Sequence, residues 1–503
     1  MSIEQLTVEG RNYVNGEFVT RRVGDEYSNQ NPATGESLGS FPQSTQDEVL
    51  AAVNHAKVAF TPWKNTSRVK RAEYFSRIAQ LLEMRKQEFA RVISLETGKN
   101  YNESIAEVNE AIHMAEFAFG SGRTPTGEVV ASELGEKDSY MIRKPKGVVA
   151  IVSPFNFPLA IGTFWCAAPS LVEGNTVVIK PSEDAPWSTQ LAAELYRDAG
   201  LPAGVLNVVH GDGKAGDALV RAGVDHICFT GSAEVGQHIR KVAAESWHKT
   251  TSCEMGSKSA CIIFDDADID MAIDAAIASA FKLSGQRCVS SGRMIIQRGV
   301  YDEFCKKFAD KASELETGNP FNEDGTVNTN MYYGPLVNKQ GFDKVVSYND
   351  EACTDSETEV LVSPVRMLME DNVYCLSPMV YKTEWRDASY LKKEVFGPHV
   401  ALIPFDTVEE GVEIYNDTEF GLAVGILTNN YRIARYCRDN CDAGMIYHNG
   451  GSIAAESHLS FGGVKKSGNG FPTAAKMWEA VTHTVSWTVN HGEELAFPQG
   501  MNK

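Results

Sequence analysis

The sequence contains no Cys-x-x-Cys pair, no Lys/Arg-rich run and no His-x-x-x-His spacing among its eleven histidines. Each absence excludes a class of protein. Without clustered Cys or His ligands, and with no acidic triad beside the histidines, no catalytic metal is expected. Without a basic patch, and with 47 basic against 66 acidic side chains for a net charge of −19, nucleic acid and anionic lipid are poor partners. The ten cysteines (Cys166, Cys228, Cys253, Cys261, Cys288, Cys305, Cys353, Cys375, Cys437 and Cys441) are irregularly spaced. In a chain this long they read as reduced thiols in a cytoplasmic protein, not as a disulfide framework. The opening Met1 to Gln5 carries no basic segment leading into an apolar one, so no secretory or mitochondrial signal is visible.

Residues 147 to 172 carry no charge and are long enough for a transmembrane helix. Pro154, Pro158 and Pro169 interrupt them, and the opening Val148 to Val152 is β-branched, so a folded interior segment is expected instead of a membrane span.

The 503 residues suffice for about three domains. Apolar positions at helical spacing between 66 and 96 predict one or two amphipathic helices. From 148 onward, short apolar runs alternate with periodic stretches. Val148 to Val152, Thr176 to Ile179, Leu206 to Val209, His226 to Phe229 and Ala260 to Phe264 read as five strands, with helices near 186 to 199, 214 to 222 and 232 to 247. Such alternation indicates an α/β fold with a parallel sheet covered on both faces, whose ligands gather at the carboxyl ends of the strands. A second α/β series follows, with helices near 268 to 283, 301 to 316, 407 to 416 and 430 to 439 and strands near 398 to 404, 422 to 427 and 444 to 448.

Two turns compete for a phosphate group. Gly211-Asp212-Gly213-Lys214-Ala215-Gly216 spells the G-x-G-x-x-G dinucleotide fingerprint, but the next strand does not end in the acid that should hold a ribose. Phe229-Thr230-Gly231-Ser232 also leads from a strand into a helix, whose free N–H groups favour an anion. Either is equally an ordinary βα turn, and local pattern does not separate them.

Several segments, in order across residues 30 to 490, resemble the aldehyde dehydrogenase superfamily. They are Asn31 to Glu36, Glu96-Thr97-Gly98-Lys99, Pro154-Phe155-Asn156-Phe157-Pro158, Lys180-Pro181-Ser182-Glu183, Phe229 to Ser232, Glu254-Met255-Gly256, Gly285-Gln286-Arg287-Cys288, Glu394 to Pro398 and Phe461 to Gly468. The resemblance implies a Rossmann-type parallel-sheet cofactor domain (1–124 and 146–256), an α/β catalytic domain (257–479) and a β-ribbon oligomerisation segment (125–145 with 480–503). It also implies that the Phe-Thr-Gly-Ser turn seats the cofactor pyrophosphate and that Lys180 and Glu183 meet the adenosine ribose. An acid there accepts from a free 2′-hydroxyl, which favours NAD, while Lys180 keeps NADP open. The remaining cofactor residues implied are Ser153, Pro154, Phe155, Ser182, Gly213, Phe229, Thr230, Gly231, Ser232, Val235, Glu394 and Phe396.

By the same resemblance Cys288 is the nucleophile, Asn156 the oxyanion-hole amide and Glu254 the base that activates water. Read in isolation, a cysteine is more often a small buried hydrophobe, an Asn between prolines a turn residue and a strand-end Glu a solvated charge. Arg287, beside the nucleophile, would favour its thiolate; Lys99 and Lys465 are expected to serve structure. Glu254 argues against the branch in which coenzyme A replaces water. One departure stands out: the family usually has Gly-Gly after this Glu-Leu, whereas Met255-Gly256-Ser257 follows here, and a side chain at Ser257 near the nicotinamide bears on cofactor fit and fine positioning but not on the reaction class.

Arg287, Tyr333 to Leu336 and Leu495 to Gly500 resemble the α-aminoadipic and 2-oxoglutarate semialdehyde branches, which implies a small aldehyde substrate with a remote carboxylate, met by Phe157, Arg287 and Phe461. His448 to Gly451 looks equally like aromatic or broad-specificity aldehyde dehydrogenases, and a non-catalytic structural homologue is the third alternative. The alternating Thr482 to Val489 reads as a strand whose exposed edge needs a partner, in keeping with the family's homodimers and homotetramers.

Overall fold

Runs of β-branched residues with no polar face make strands that are buried on both sides. Four of them, Val148–Val152, Thr176–Lys180, Leu206–Val208 and His226–Thr230, lie together in one parallel sheet. The computed structural model describes residues 7–19, 25–367, 373–470, 473–497 and 499, so the amino-terminal reading and Pro498 and Gly500 of the last motif lie outside the described residues.

The fifth expected strand is elsewhere. Ala260–Ile263 sits in a second, seven-stranded sheet between Arg293–Gln297 and Ala423–Leu427. Its continuous apolar run marks a buried parallel strand, which fits the interior of either sheet equally well. The missing place in the first sheet is taken by Thr250–Glu254, parallel to His226–Thr230. Asn12–Val14 and Glu17–Val19 extend the first sheet antiparallel at one side, and Gly468–Asn469 closes it at the other.

Helices Gln46–Asn65, Trp187–Asp198, Gly213–Arg221 and Ala233–Ala244 pack on the first sheet. The 66 to 96 segment is two helices, Arg68–Met84 and Lys86–Thr97, separated where Arg85 leaves helical geometry at φ −101° and ψ 11°. The uncharged 147 to 172 segment folds back as a strand, a π-helical turn Ala160–Cys166 and a short helix Ala167–Val172 inside the core. Among the described residues no helix is long and apolar enough to cross a membrane.

A third sheet stands apart from both. Thr482–Asn490 pairs antiparallel with Lys137–Pro145 along its full length, and Gly127–Val130 completes the ribbon. Among the described residues nothing pairs with the outer edge of Thr482–Asn490, and Trp487 and Val129 stand 55% and 80% exposed on this ribbon.

Candidate active site

Strand register builds the site. Thr230 lies opposite Glu254, Phe229 opposite Val152, and Val152 opposite Lys180, so Lys180, Ser153, Thr230 and Glu254 emerge side by side at the carboxyl ends of neighbouring strands. They open onto a cleft of about 490 Å³. Every cofactor residue expected from the sequence lines it: Ser153, Pro154, Phe155, Lys180, Ser182, Glu183, Gly213, Phe229, Thr230, Gly231, Ser232, Val235, Glu394 and Phe396, together with Asn156 and Cys288. Glu254, Phe157, Arg287 and Phe461 are not among its lining residues.

The two Gly-rich turns differ electrostatically. At the helix Gly213–Arg221, the Asp212 carboxylate already occupies the N-terminus, accepting from Lys214 N at 2.8 Å and Gln43 Nε2 at 2.6 Å. An incoming phosphate would meet that negative charge. The helix Ala233–Ala244 is capped by the neutral Ser232 hydroxyl, so its end stays attractive to an anion. Thr230 Oγ1 and Ser153 Oγ, both buried on this side, have no hydrogen-bond partner. Lys180 Nζ pairs with Glu183 at 2.9 Å, Lys180 buried and Glu183 half exposed to the cleft. A cradle with orphaned hydroxyls, a neutral helix terminus and a basic and acidic pair fits a dinucleotide.

Cys288 is presented by a forced turn. After helix Ile269–Phe281, Leu283 (φ 53°), Ser284 (φ 56°) and Gly285 (φ 71°) are all left-handed, a conformation costly for the first two. Ser284 Oγ holds it by donating to the Gly334 carbonyl at 2.6 Å, and a Cβ at Gly285 would lie 2.3 Å from the Gly397 carbonyl. The turn puts Cys288 on the cleft wall, where burial, then Glu254, then Glu394, push its thiol well above the usual range. Arg287 pulls it down, in the direction expected from the sequence, but by less than any of these, so it offsets only part of the opposing burial and negative charge.

Glu254 is fully buried at the end of its strand, and neither carboxylate oxygen has a hydrogen-bond partner. Burial, with Cys166 and Glu394 adding to it, pushes its carboxyl well above the normal range. Its backbone is clamped by Gly231 N donating to its carbonyl at 3.0 Å and by pairing with Gly468, where a Cβ would approach Cys253 O to 2.7 Å. That close approach explains the glycine at 468.

Asn156 Nδ2 donates to the Gln286 carbonyl at 2.9 Å, which leaves one N–H of the amide over. Its loop is held from below by Lys99, which is fully buried, pairs with Glu107 and donates to the Asn156 carbonyl at 2.8 Å. Lys99 and Arg287 lie 4.2 and 5.1 Å from the centre of the Phe157 ring. Arg287 Nη2 reaches Glu103 at 3.4 Å while its buried Nε has no partner. Nearby Glu110 is pushed up to about 7 by burial, against the pull of Arg287. Phe461 packs edge-on against Trp165 at 5.3 Å, and Tyr447, Ile453 and Ala455 join Phe157 and Cys288 against the same core.

The family model for the aldehyde dehydrogenase family matches residues 18–487. The chain belongs to the aldehyde dehydrogenase family. It is thus an oxidoreductase acting on aldehydes. Among its relatives, the α-ketoglutaric semialdehyde dehydrogenase of Bacillus subtilis is 34% identical over 91% of this chain and 93% of that one. The mitochondrial succinate-semialdehyde dehydrogenase of Arabidopsis thaliana is 35% identical over 89% and 84%. Among solved structures, betaine aldehyde dehydrogenase from Staphylococcus aureus in complex with NAD+ superposes with a TM-score of 0.91 at 27% identity, covering 100% of this chain and 98% of that one.

This aldehyde dehydrogenase also brings to the cleft residues that the sequence did not single out. Asn338 caps helix Lys339–Thr354 and donates to Asp184 Oδ2 at 3.0 Å, and Lys344 from that helix lines the cleft opposite Glu394 and Gly256. They carry no local signature, because they reach the site from the other sheet. Ser257 departs from its expectation. It is absent from the cleft lining; its hydroxyl turns away and donates to the Cys288 carbonyl.

Proposed function

We propose that this aldehyde dehydrogenase oxidises semialdehydes that carry a remote carboxylate, of the aminoadipic or 2-oxoglutarate type, through a covalent intermediate on Cys288. The observation that carries the reading is a cleft wall bearing the Cys288 thiol and the Asn156 side-chain amide with a hydrogen to spare, with the buried carboxylate of Glu254, outside the lining, close enough to act on the thiol. The Cys288 thiolate adds to the aldehyde carbon, and the carbonyl π pair moves onto oxygen, where the spare Asn156 N–H stabilises it. Bound NAD or NADP supplies the hydride acceptor. Glu254 then removes a proton from water, which adds to the Cys288 thioester carbon, and the sulfur leaves as thiolate with release of the acid.

The neutral cap at Ser232, with the orphaned Thr230 and Ser153 hydroxyls near it, supports seating of the pyrophosphate there, and Gly213 forms open floor beside it. Glu183, tied to Lys180, favours a free 2′-hydroxyl over a phosphate and thus NAD over NADP, as in the NAD+-bound staphylococcal neighbour. Glu394 and Phe396 lie at the far end, where the nicotinamide ribose would rest. The first sheet serves as the cofactor domain and the second as the catalytic domain.

Arg287 supports the substrate class: its buried, unpartnered Nε–H is a donor waiting for an anionic acceptor, at the apolar wall formed with Phe157. In Arg287→Ala, KM for a carboxylated semialdehyde is expected to rise about tenfold or more, as for loss of a charged hydrogen bond, with benzaldehyde little affected. Equal losses on both, or benzaldehyde turned over as well as the semialdehyde by both enzymes, would remove the substrate assignment in favour of the broad-specificity alternative.

The open edge of Thr482–Asn490 and the exposed Trp487 and Val129 support a homodimer or homotetramer joined through the ribbon. A solution mass of a dimer or tetramer is expected, and a strictly monomeric mass would contradict it. All ten cysteines are free, which suits a reducing compartment such as the cytoplasm.

A further inference from the structure

Ser257 makes three contacts that together join the two halves of the site. Its backbone N–H donates to Glu394 Oε1 at 2.8 Å, its hydroxyl donates to the Cys288 carbonyl, and the Ser259 hydroxyl lies 3.1 Å from its Oγ. With the Ser257 proton committed to Cys288, the Ser259 hydroxyl is the donor of that last pair, which strengthens Ser257 in turn as a donor. Ser257 is buried, so no solvent competes for these bonds.

The Cys288 carbonyl and the Val289 N–H belong to one peptide unit, and beside the dominant upward push of burial that N–H acts to lower the Cys288 thiol, the least of the influences on it. A donor placed on the oxygen of a peptide draws electron density from its nitrogen and makes its N–H a better donor. The path from Ser259 O–H to Ser257 O–H to the Cys288 carbonyl and on to Val289 N–H and the sulfur is therefore one polarised chain ending on the attacking atom.

We propose that Ser257 is a positioning residue for the nucleophile, whose hydroxyl orients and polarises the Cys288–Val289 peptide so that its N–H stabilises negative charge on the Cys288 sulfur. This rests on Cys288 being the nucleophile. It gives a physical role to the position where the Glu254 motif carries serine in place of the family's second glycine, since a glycine there would keep the backbone contact to Glu394 and lose the hydroxyl. The site needs such help: burial and the carboxylates of Glu254 and Glu394 oppose the thiolate, and Arg287 offsets them only in part.

The test is the pH profile of Cys288 alkylation by iodoacetamide in the full-length enzyme, read by mass spectrometry on the peptide that contains Cys288. Ser257→Ala removes one oxygen and keeps the N–H to Glu394. Its alkylation midpoint is expected to move up by about half a pH unit, with alkylation at neutral pH roughly threefold slower. kcat should fall while the dissociation constant for NAD stays at the wild-type value. Ser257→Gly should behave as Ser257→Ala, and Ser257→Thr should restore the midpoint.

An unchanged midpoint in both Ser257→Ala and Ser257→Gly would overturn the proposal, as would a weakened NAD affinity with unshifted alkylation. Wild-type activity surviving in Cys288→Ala would overturn the nucleophile reading along with it. An inactive Cys288→Ala beside an unmoved midpoint strikes the Ser257 role alone.

Discussion

Cys288→Ala is expected to lose at least about ten-thousand-fold in aldehyde oxidation, the scale seen when a covalent nucleophile is removed from a site that otherwise stays intact. The loss should appear in kcat, with NAD affinity retained, because the residues proposed to seat the dinucleotide, Thr230, Ser232, Lys180 and Glu183, belong to the first sheet and its turns, away from the Cys288 turn. Cys288 is only one face of a wall built by the left-handed turn at Leu283, Ser284 and Gly285, so a smaller side chain fits without rearrangement. Steady-state production of NADH over an aldehyde panel checks it, and the remaining nine cysteines supply the internal control: none of them lines the cleft.

Glu254→Gln is expected to separate the two halves of the reaction. The acyl group still reaches Cys288, giving a burst of NADH equal to the enzyme present, after which turnover falls by about 10² to 10⁴ for want of a base. The pH dependence follows from burial. A carboxyl raised well above its usual range is protonated over a wider span of pH, and only its deprotonated form takes a proton from water. The thiol of Cys288 is raised as well, and only its thiolate attacks. Both shifts act in one direction, so kcat/KM of the wild-type enzyme is expected to climb as pH rises through neutrality into the alkaline range. In Glu254→Gln the Glu254 component of that rise disappears from the slow phase. Rapid-mixing measurements of NADH across pH check both statements.

Much of this site was legible because its chemistry is written in contiguous motifs. Asn156, Cys288 and the Thr230 turn each sit within a few residues of prolines or glycines that shape the local backbone, and Asn156 and the Thr230 turn follow strands that are largely apolar. Thr250–Glu254 was not among the strands read from apolar runs, because Thr-Thr-Ser-Cys-Glu has none, although Glu254 was taken to sit at a strand end; the strand forms by pairing with His226–Thr230 and Gly468–Asn469, residues distant in sequence. Ala260–Ile263 was recognised as a strand and placed in the wrong sheet, since a run buried on both faces looks alike in either.

The charges were harder to read. Lys99 resembles a surface lysine until Glu107 and the Asn156 carbonyl close around it. Arg287 was read only as a cation beside Cys288, but Glu103 and Glu110 come from a helix far away in sequence and change its balance. Asn338 and Lys344 meet the cleft from the opposite sheet, which no local pattern announces. Ser257 was visible as a departure, but the direction of its hydroxyl depended on where the Cys288 turn would pass. In each case the missing information was a long-range partner.

The central claim is a covalent acyl intermediate on Cys288 that Glu254 resolves with water. Its most direct test mixes Glu254→Gln with NAD and a semialdehyde, quenches in acid and measures the mass of the Cys288 peptide. The account predicts one acyl group per chain, bound at Cys288 and absent when NAD is omitted; an unmodified Cys288 peptide after a full burst of NADH, or the acyl group on another residue, would contradict it.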